Sequence, residues 1–228
     1  MVATVLATAV ACSGSDSDDL TVFAASSLTD VLPELATEYE NQAGTTITTV
    51  FGGSNHLAAQ LRDGAPADAF LTADARLLEQ VGTRDRPVNF ASNRLVVAVP
   101  AGNPAGVSSP TDLARDDLRV VVCAETVPCG SATSEMGTTV NTDSFETSVR
   151  AVLSRLSLGE ADVGIVYATD VASEPDVQPA WNQPEACPCV TYTAGATTYR
   201  ALPFLAFLES PTAQGILARH GFGTGAPD

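Results

Sequence analysis

The chain has 228 residues, 45% of them apolar, which is long and apolar enough to bury the core of one large domain or two ordinary ones and excludes wholesale disorder. Its formal net charge is −16, and all 11 basic residues are arginines scattered without a patch or stripe, which argues against a nucleic-acid partner. An acidic surface repels anions on approach, but physiological salt screens that repulsion over about 8 Å. Any anion this chain holds must therefore be held by local dipoles.

The first nineteen residues read as an export segment. Val2 to Ala11 is a short apolar stretch ending in small residues before Cys12, and Ser13 to Asp19 is a polar tether. This stretch resembles a bacterial lipoprotein signal, which makes Cys12 the expected lipidated residue. No other segment is apolar over a length that would cross a membrane.

Beyond Asp19 short β-type runs alternate with helical patterns, the signature of an α/β fold with mainly parallel strands flanked by helices. The predicted strands are Leu20–Ala24, Ile47–Phe51, Ala67–Thr72, Arg94–Pro100, Arg119–Cys123, Val163–Val166 and Val190–Thr193. The strongest helical pattern is Leu28–Asn41, apolar at 28, 31, 32, 35, 36 and 39 and followed by Gly44. Leu57–Arg62, Ala75–Val81, Ser131–Met136, Val149–Leu158, Leu202–Leu208 and Thr212–Arg219 continue the series. Turn chemistry at Pro100 to Gly106 follows a strongly apolar strand. Two α/β lobes are expected, residues 20–90 and 91–189, with 190–228 returning to the first.

In such folds ligands gather where strands end and helices begin. Five residues stand at such points: Ser27, Ser54, Cys129, Val149 and Tyr167. The first backbone N–H groups of a helix lack intrahelical partners, and the aligned peptide dipoles leave roughly +0.5 elementary charge there, so several convergent helix starts could offset a dianion. Taken singly, each residue has a plainer role: a serine as an N-cap, Val149 as core, Tyr167 as a half-buried aromatic. Arg150, beside Val149, is expected to form a salt bridge or face solvent rather than touch a ligand.

The segments Val22-Phe23-Ala24-Ala25-Ser26-Ser27-Leu28-Thr29, Phe51-Gly52-Gly53-Ser54, Gly64-Ala65-Pro66-Ala67-Asp68-Ala69-Phe70, Val127-Pro128-Cys129-Gly130 and Gly164-Ile165-Val166-Tyr167 follow one another in the order found in a known family. In them, and in the closing Arg219-His220-Gly221-Phe222, the chain resembles the molybdate-binding proteins of bacterial ABC importers. The resemblance implies the type II periplasmic-binding-protein architecture, with a ligand cleft between lobes and no enzymatic activity or cofactor. It implies a molybdate or tungstate oxyanion held without charged side chains: by the hydroxyls and amides of Ser27 and Ser54, the backbone N–H groups of Cys129 and Val149, and the Tyr167 hydroxyl. Ser26 could share or replace the role of Ser27. An extracytoplasmic monomer that docks on a membrane permease follows from the same likeness.

Four cysteines remain after Cys12: Cys123, Cys129, Cys187 and Cys189, an even number that favours disulfides in an exported chain. Cys123 with Cys129 would brace the turn that presents the Cys129 N–H. Cys187-Pro188-Cys189 is too tight for an unstrained bridge, so cross-pairing is an alternative. A zinc site of four thiols is disfavoured by an oxidising compartment and by the presence of only two histidines, His56 and His220. Two rival functions stand beside the first. One is a receptor for another tetrahedral oxyanion such as sulfate; protonated phosphate would need an acceptor that the site lacks. The other is a serine hydrolase using Ser54 with His56, although Gly52-Gly53-Ser54-Asn55-His56 lacks the G-x-S-x-G elbow.

Overall fold

A computed structural model describes residues 19–183 and 189–225. Cys12 with the export stretch through residue 18, and Cys187, lie outside the described residues; for Cys189 only the backbone is described.

In the first lobe, β1 (Leu20–Ala25), β2 (Ile47–Gly52) and β3 (Ala69–Thr72) are parallel in the order β2-β1-β3. Parallel strands need crossovers, and α1 (Leu32–Ala43) and α2 (Ser54–Arg62) supply them, with α3 (Arg76–Val81) following β3. Helix α1 buries Leu32, Leu35 and Tyr39 and stops at Gly44, whose φ of 69° lets its N–H reach the Glu40 carbonyl. The expected helix from Leu28 does not form as one piece. Ser26–Leu28 is a single 3-10 turn and α1 opens at Leu32. Pro33 is the reason: in a helix begun at Leu28 it would be interior, without the N–H that the ladder needs, whereas in the first turn of α1 that N–H has no intrahelical partner anyway.

The chain then leaves along β4 (Val88–Pro100) into a second lobe. There β5 (Val120–Cys123), β6 (Ser144–Glu146) and β7 (Val163–Tyr167) form a second parallel set in the order β6-β5-β7. Helices α4 (Pro128–Glu135), α5 (Val149–Ser157) and α6 (Ala168–Ser173) cover it, and β8 (Val177–Pro179) closes its far edge. The chain returns along β9 (Cys189–Ala196) to the first lobe, where α7 (Leu202–Leu208), α8 (Pro211–Arg219) and the short β10 (Gly223–Thr224) finish it.

Strand β4 belongs to both lobes. Its first half pairs with β9, from Val88 opposite Ala194 to Arg94 opposite Cys189; its second half pairs with β7 from Leu95 to Ala98 and with β8 from Ala98 to Pro100. Each lobe is thus parallel in its wing and antiparallel at the crossing strands, where β9 runs against both β3 and β4. A chain that leaves along one strand and comes back along another must traverse the junction in opposite senses. The strand also begins earlier than its sequence suggests, because Val88-Asn89-Phe90-Ala91-Ser92-Asn93 has no two-residue alternation and is held extended by β9 on one edge and β10 on the other.

One buried apolar cluster runs through both lobes, and a smaller one of Phe23, Leu57, Ala58, Phe70 and Leu78 lies under α2 and α3. The C-terminal helices are fastened to the first lobe by aromatics: the rings of Phe204 and Phe207 meet Tyr39 of α1 at 5.2 and 5.4 Å. Truncating the fully buried Phe204 to alanine removes this anchor. It should cost about 3–5 kcal/mol, read as a lower midpoint in urea unfolding; a change under about 1 kcal/mol would mean that α7 is not part of the cooperative core.

Candidate functional site

The carboxyl ends of β1, β2 and β7 and the chain just after β3, β5 and β6 meet at the junction of the lobes around a small hollow. It is lined by Ser26, Ser27, Gly53, Ser54 and Ala73 of the first lobe and by Val127, Pro128, Cys129, Ser148, Val149 and Tyr167 of the second, with Ala25 completing the wall. The space open to the centre of a water-sized sphere is about 20 Å³, room for a compact group of a few atoms. All five residues singled out in the sequence line it, and so does Ser26. No charged side chain does.

Three helices begin at the wall. Ser54 is the first residue of α2, Val149 the first of α5, and Cys129 the second of α4 after Pro128. Their opening amides lack intrahelical acceptors and carry the positive end of each helix dipole. Pro128 is suited to the first position of α4, having a preset φ and no N–H to satisfy. Cys129 is fixed by a disulfide to Cys123, with the Cα atoms 5.7 Å apart. Gly130 next to it can be nothing larger, since a Cβ there would lie 2.0 Å from the Ala124 carbonyl oxygen. Ser148 caps α5, its Oγ accepting the Ala151 N–H at 3.3 Å. Ser27 differs from expectation: it sits in the 3-10 turn after β1, so the dipole of α1 starts some residues away and Ser27 offers local donors only.

The hydroxyls are buried and their partners are specific. Ser27 is 3% exposed and its Oγ lies 2.7 Å from Tyr192 Oη. Ser54 is 2% exposed, and its Oγ accepts a long hydrogen bond, 3.4 Å, from the Ala73 N–H. Tyr167, 2% exposed, donates its backbone N–H to Asp170 Oδ2 at 3.1 Å, but its phenol oxygen is buried without a partner among the described residues. Burial above all, with Tyr192, Asp170 and Asp74 adding to it, pushes the Tyr167 phenol well above its ordinary range, so it keeps its proton.

Charge stands just behind the wall. Arg150 of α5 pairs with Asp30, which lies between the 3-10 turn and α1, and its Nε is 3.1 Å from Asp170 Oδ1, an ion pair without hydrogen-bond geometry. Arg150 is thus the salt-bridge residue the sequence suggested, and it ties the lobes together. Asp170 is wholly buried; burial outweighs Arg150 and the Tyr167 N–H and lifts its carboxyl to about 7. His56 is exposed on the first turn of α2, outside the lining, so Ser54 has the Ala73 amide beside it rather than a base.

Sequence reasoning did not find Ala73, Asp170 or Tyr192. Asp170 had a local signal, an acidic residue three positions after a strand-ending residue that it caps. Ala73 and Tyr192 had none, because they come to the site from strands β3 and β9 through pairing.

Residues 20–223 match a family described as bacterial extracellular solute-binding proteins. Among curated proteins the chain is 36% identical over 218 residues to the molybdate-binding protein ModA of Mycobacterium tuberculosis, covering 89% of this chain and 84% of that one. Among solved structures it resembles the Azotobacter vinelandii periplasmic molybdate-binding protein, with TM-score 0.71 and 20% identity over 92% of this chain and all of the other. It also resembles the sulfate-binding protein SubI of M. tuberculosis, with TM-score 0.73 and 21% identity over 92% of this chain and 88% of that one. At those identities the two structures speak for the fold alone.

Asp170 leads to a pH test. Its carboxyl titrates at about 7 in the fold against an ordinary 3.8, so the folded state binds this proton more tightly than the unfolded one. The stabilisation is full below the unfolded value and is lost as pH rises through the folded value. The stability of Asp170→Asn relative to the parent should therefore climb as pH is raised from 3.8 to about 7, measured by urea melts at a series of pH values. A constant difference across that window would show that Asp170 does not titrate in the folded chain.

Proposed function

The chain belongs to the family of bacterial extracellular solute-binding proteins, and we propose that it is the substrate-binding protein of an ABC importer, holding molybdate or tungstate in the hollow between its lobes. The observation that carries this reading is the Tyr167 hydroxyl: buried, protonated, without a partner among the described residues, and facing the same hollow as two serines of the other lobe and three helix starts. Such a wall needs a guest that only accepts hydrogen bonds. A fully deprotonated oxyanion is that guest, with four oxygens and no proton to place.

Size supports a compact ion. Pockets for organic ligands run to roughly 300–1,000 Å³; this hollow offers about 20 Å³ to a water-sized centre. Charge is met by dipoles: the starts of α2, α4 and α5 give nominally roughly +0.5 each, and imperfect aim reduces the total. Sulfate is the second reading, since a sulfate-binding protein shares the fold. The relative at 36% identity favours molybdate over it.

Binding is without chemistry on the ligand. An oxyanion touching both lobes binds the closed arrangement better than the open one, and that difference drives closure about the crossing strands. Gly53 and Thr147 show how near the lobes come: a Cβ on Gly53 would lie 2.3 Å from the Thr147 carbonyl oxygen. The closed form then docks on the membrane permease. We place the protein outside the cytoplasm as a monomer, lipidated at Cys12, which would keep it close to that partner.

Titration calorimetry with molybdate, tungstate, sulfate and phosphate tests the assignment. Ser27→Ala, Ser54→Ala and Tyr167→Phe should each weaken molybdate about tenfold or more, the effect of losing a hydrogen bond to a charged group, about 1.5–3 kcal/mol. Unchanged affinity in all three variants would reject the hollow as the binding site. Gly53→Ala should keep the lobes apart: with saturating molybdate its small-angle scattering curve should remain that of the ligand-free protein, whereas full compaction would show that the Gly53–Thr147 approach is not needed for closure.

A further inference from the structure

The Asp30–Arg150 ion pair lies on the seam between the lobes, and each of its ends stands beside a residue of the hollow. Asp30 follows the 3-10 turn that carries Ser27, and Thr29 fastens that turn: its N–H and its Oγ1 both donate to the Ser26 carbonyl, at 3.2 and 2.6 Å. Arg150 is the second residue of α5, directly after Val149. On its other side the guanidinium Nε stands 3.1 Å from Asp170 Oδ1, while Asp170 Oδ2 accepts the Tyr167 N–H at 3.1 Å. One string of polar groups thus connects the segments that bear Ser27, Val149 and Tyr167. Its links differ in kind. Arg150, Asp170 and Tyr167 belong to one lobe, so a rigid-body movement of the lobes leaves them together. Only the Asp30–Arg150 link crosses the seam, and only that link is made and broken as the lobes close and part.

The ligand's charge gives no reason for a carboxylate at this place. Asp30 lines a groove together with Ser27, and an anion beside a site for a dianion repels the guest. We propose that Asp30 and Arg150 are positioning residues whose ion pair latches the closed arrangement, with or without a bound anion, and so slows release of the oxyanion. The proposal rests on the oxyanion reading above and deepens it, since apparent affinity scales with the fraction of molecules in the binding-competent arrangement. With side chains 25% and 41% exposed the pair is partly screened, and it should change the open-to-closed ratio by about twofold to fivefold. A latch of that strength adds to closure without shutting the cleft against an incoming ligand.

Asp30→Asn is the decisive variant, because charge and latch predict opposite signs. Losing a carboxylate beside the site should by charge alone tighten molybdate binding. Losing the latch should weaken it about twofold to fivefold, mostly as faster release in stopped-flow displacement, with association little changed. Asp30→Glu should bring the release rate back toward the parent's, and raised sodium chloride should narrow the gap between parent and Asp30→Asn by screening the pair. Equal or tighter molybdate binding by Asp30→Asn overturns the proposal. Arg150 is left in place, since its removal would strand the buried Asp170 carboxyl. A measurement without ligand separates the latch from the reading it rests on. Residual dipolar couplings of the ligand-free protein, fitted for each lobe, give the mean angle between the lobes; Asp30→Asn should open it, and an angle identical to the parent's overturns the latch whatever the hollow binds. If Ser27→Ala, Ser54→Ala and Tyr167→Phe all keep the parent's affinity for molybdate, the hollow is misassigned, and the couplings still decide whether the pair holds the lobes together.

Discussion

A hydroxyl buried in protein must find an acceptor for its proton, and at the junction of the two lobes the Tyr167 hydroxyl has none from the described residues. That unmet demand organises what surrounds it. Tyr167 ends β7 in one lobe, Ser27 and Ser54 follow β1 and β2 in the other, and helices α2, α4 and α5 begin at the same hollow.

The absence of a cation from the wall is consistent with the way this chain spends its arginines. Arg76, Arg115, Arg119, Arg155 and Arg219 pair with Asp74, Asp117, Asp162, Glu146 and Glu34 on the surface, and Arg150 is divided between Asp30 and Asp170. A bare guanidinium in a hollow this small would carry a desolvation penalty of several kcal/mol whenever the site stood unfilled. Amides and hydroxyls have a smaller penalty and hold their geometry through the backbone.

Close backbone approach is the other half of the construction. Gly130 lets the turn before α4 fold onto the Ala124 carbonyl while the Cys123–Cys129 disulfide clamps the same turn. Gly53 lets the start of α2 meet the Thr147 carbonyl from the opposite lobe. The two glycines therefore act at different levels: one shapes a wall within a lobe, the other permits the lobes to meet.

Much of this was written in local sequence. The alternation of short apolar runs with helical patterns gave the α/β class, and hydroxyl residues between strand and helix marked Ser27 and Ser54, while Cys129, Val149 and Tyr167 were carried mainly by the family likeness; the fold gathers all five at one hollow. These features are readable because strand and helix periods and the chemistry of helix starts depend on neighbours a few positions away. Even so, the periodic pattern from Leu28 overruns the true opening of α1, which lies at Leu32 because Pro33 belongs in the first turn. What the tertiary structure alone decided is which distant residues stand behind the hollow. Tyr192 reaches Ser27 because β9 returns beside β4, and Asn93 reaches Thr169 because β4 crosses between lobes. Asp170 is lifted to about 7 because the assembled core excludes water from it. Strand pairing across more than a hundred positions and burial by the whole fold leave no local pattern, since the free energy that sets them comes from contacts the chain makes only after it has closed on itself.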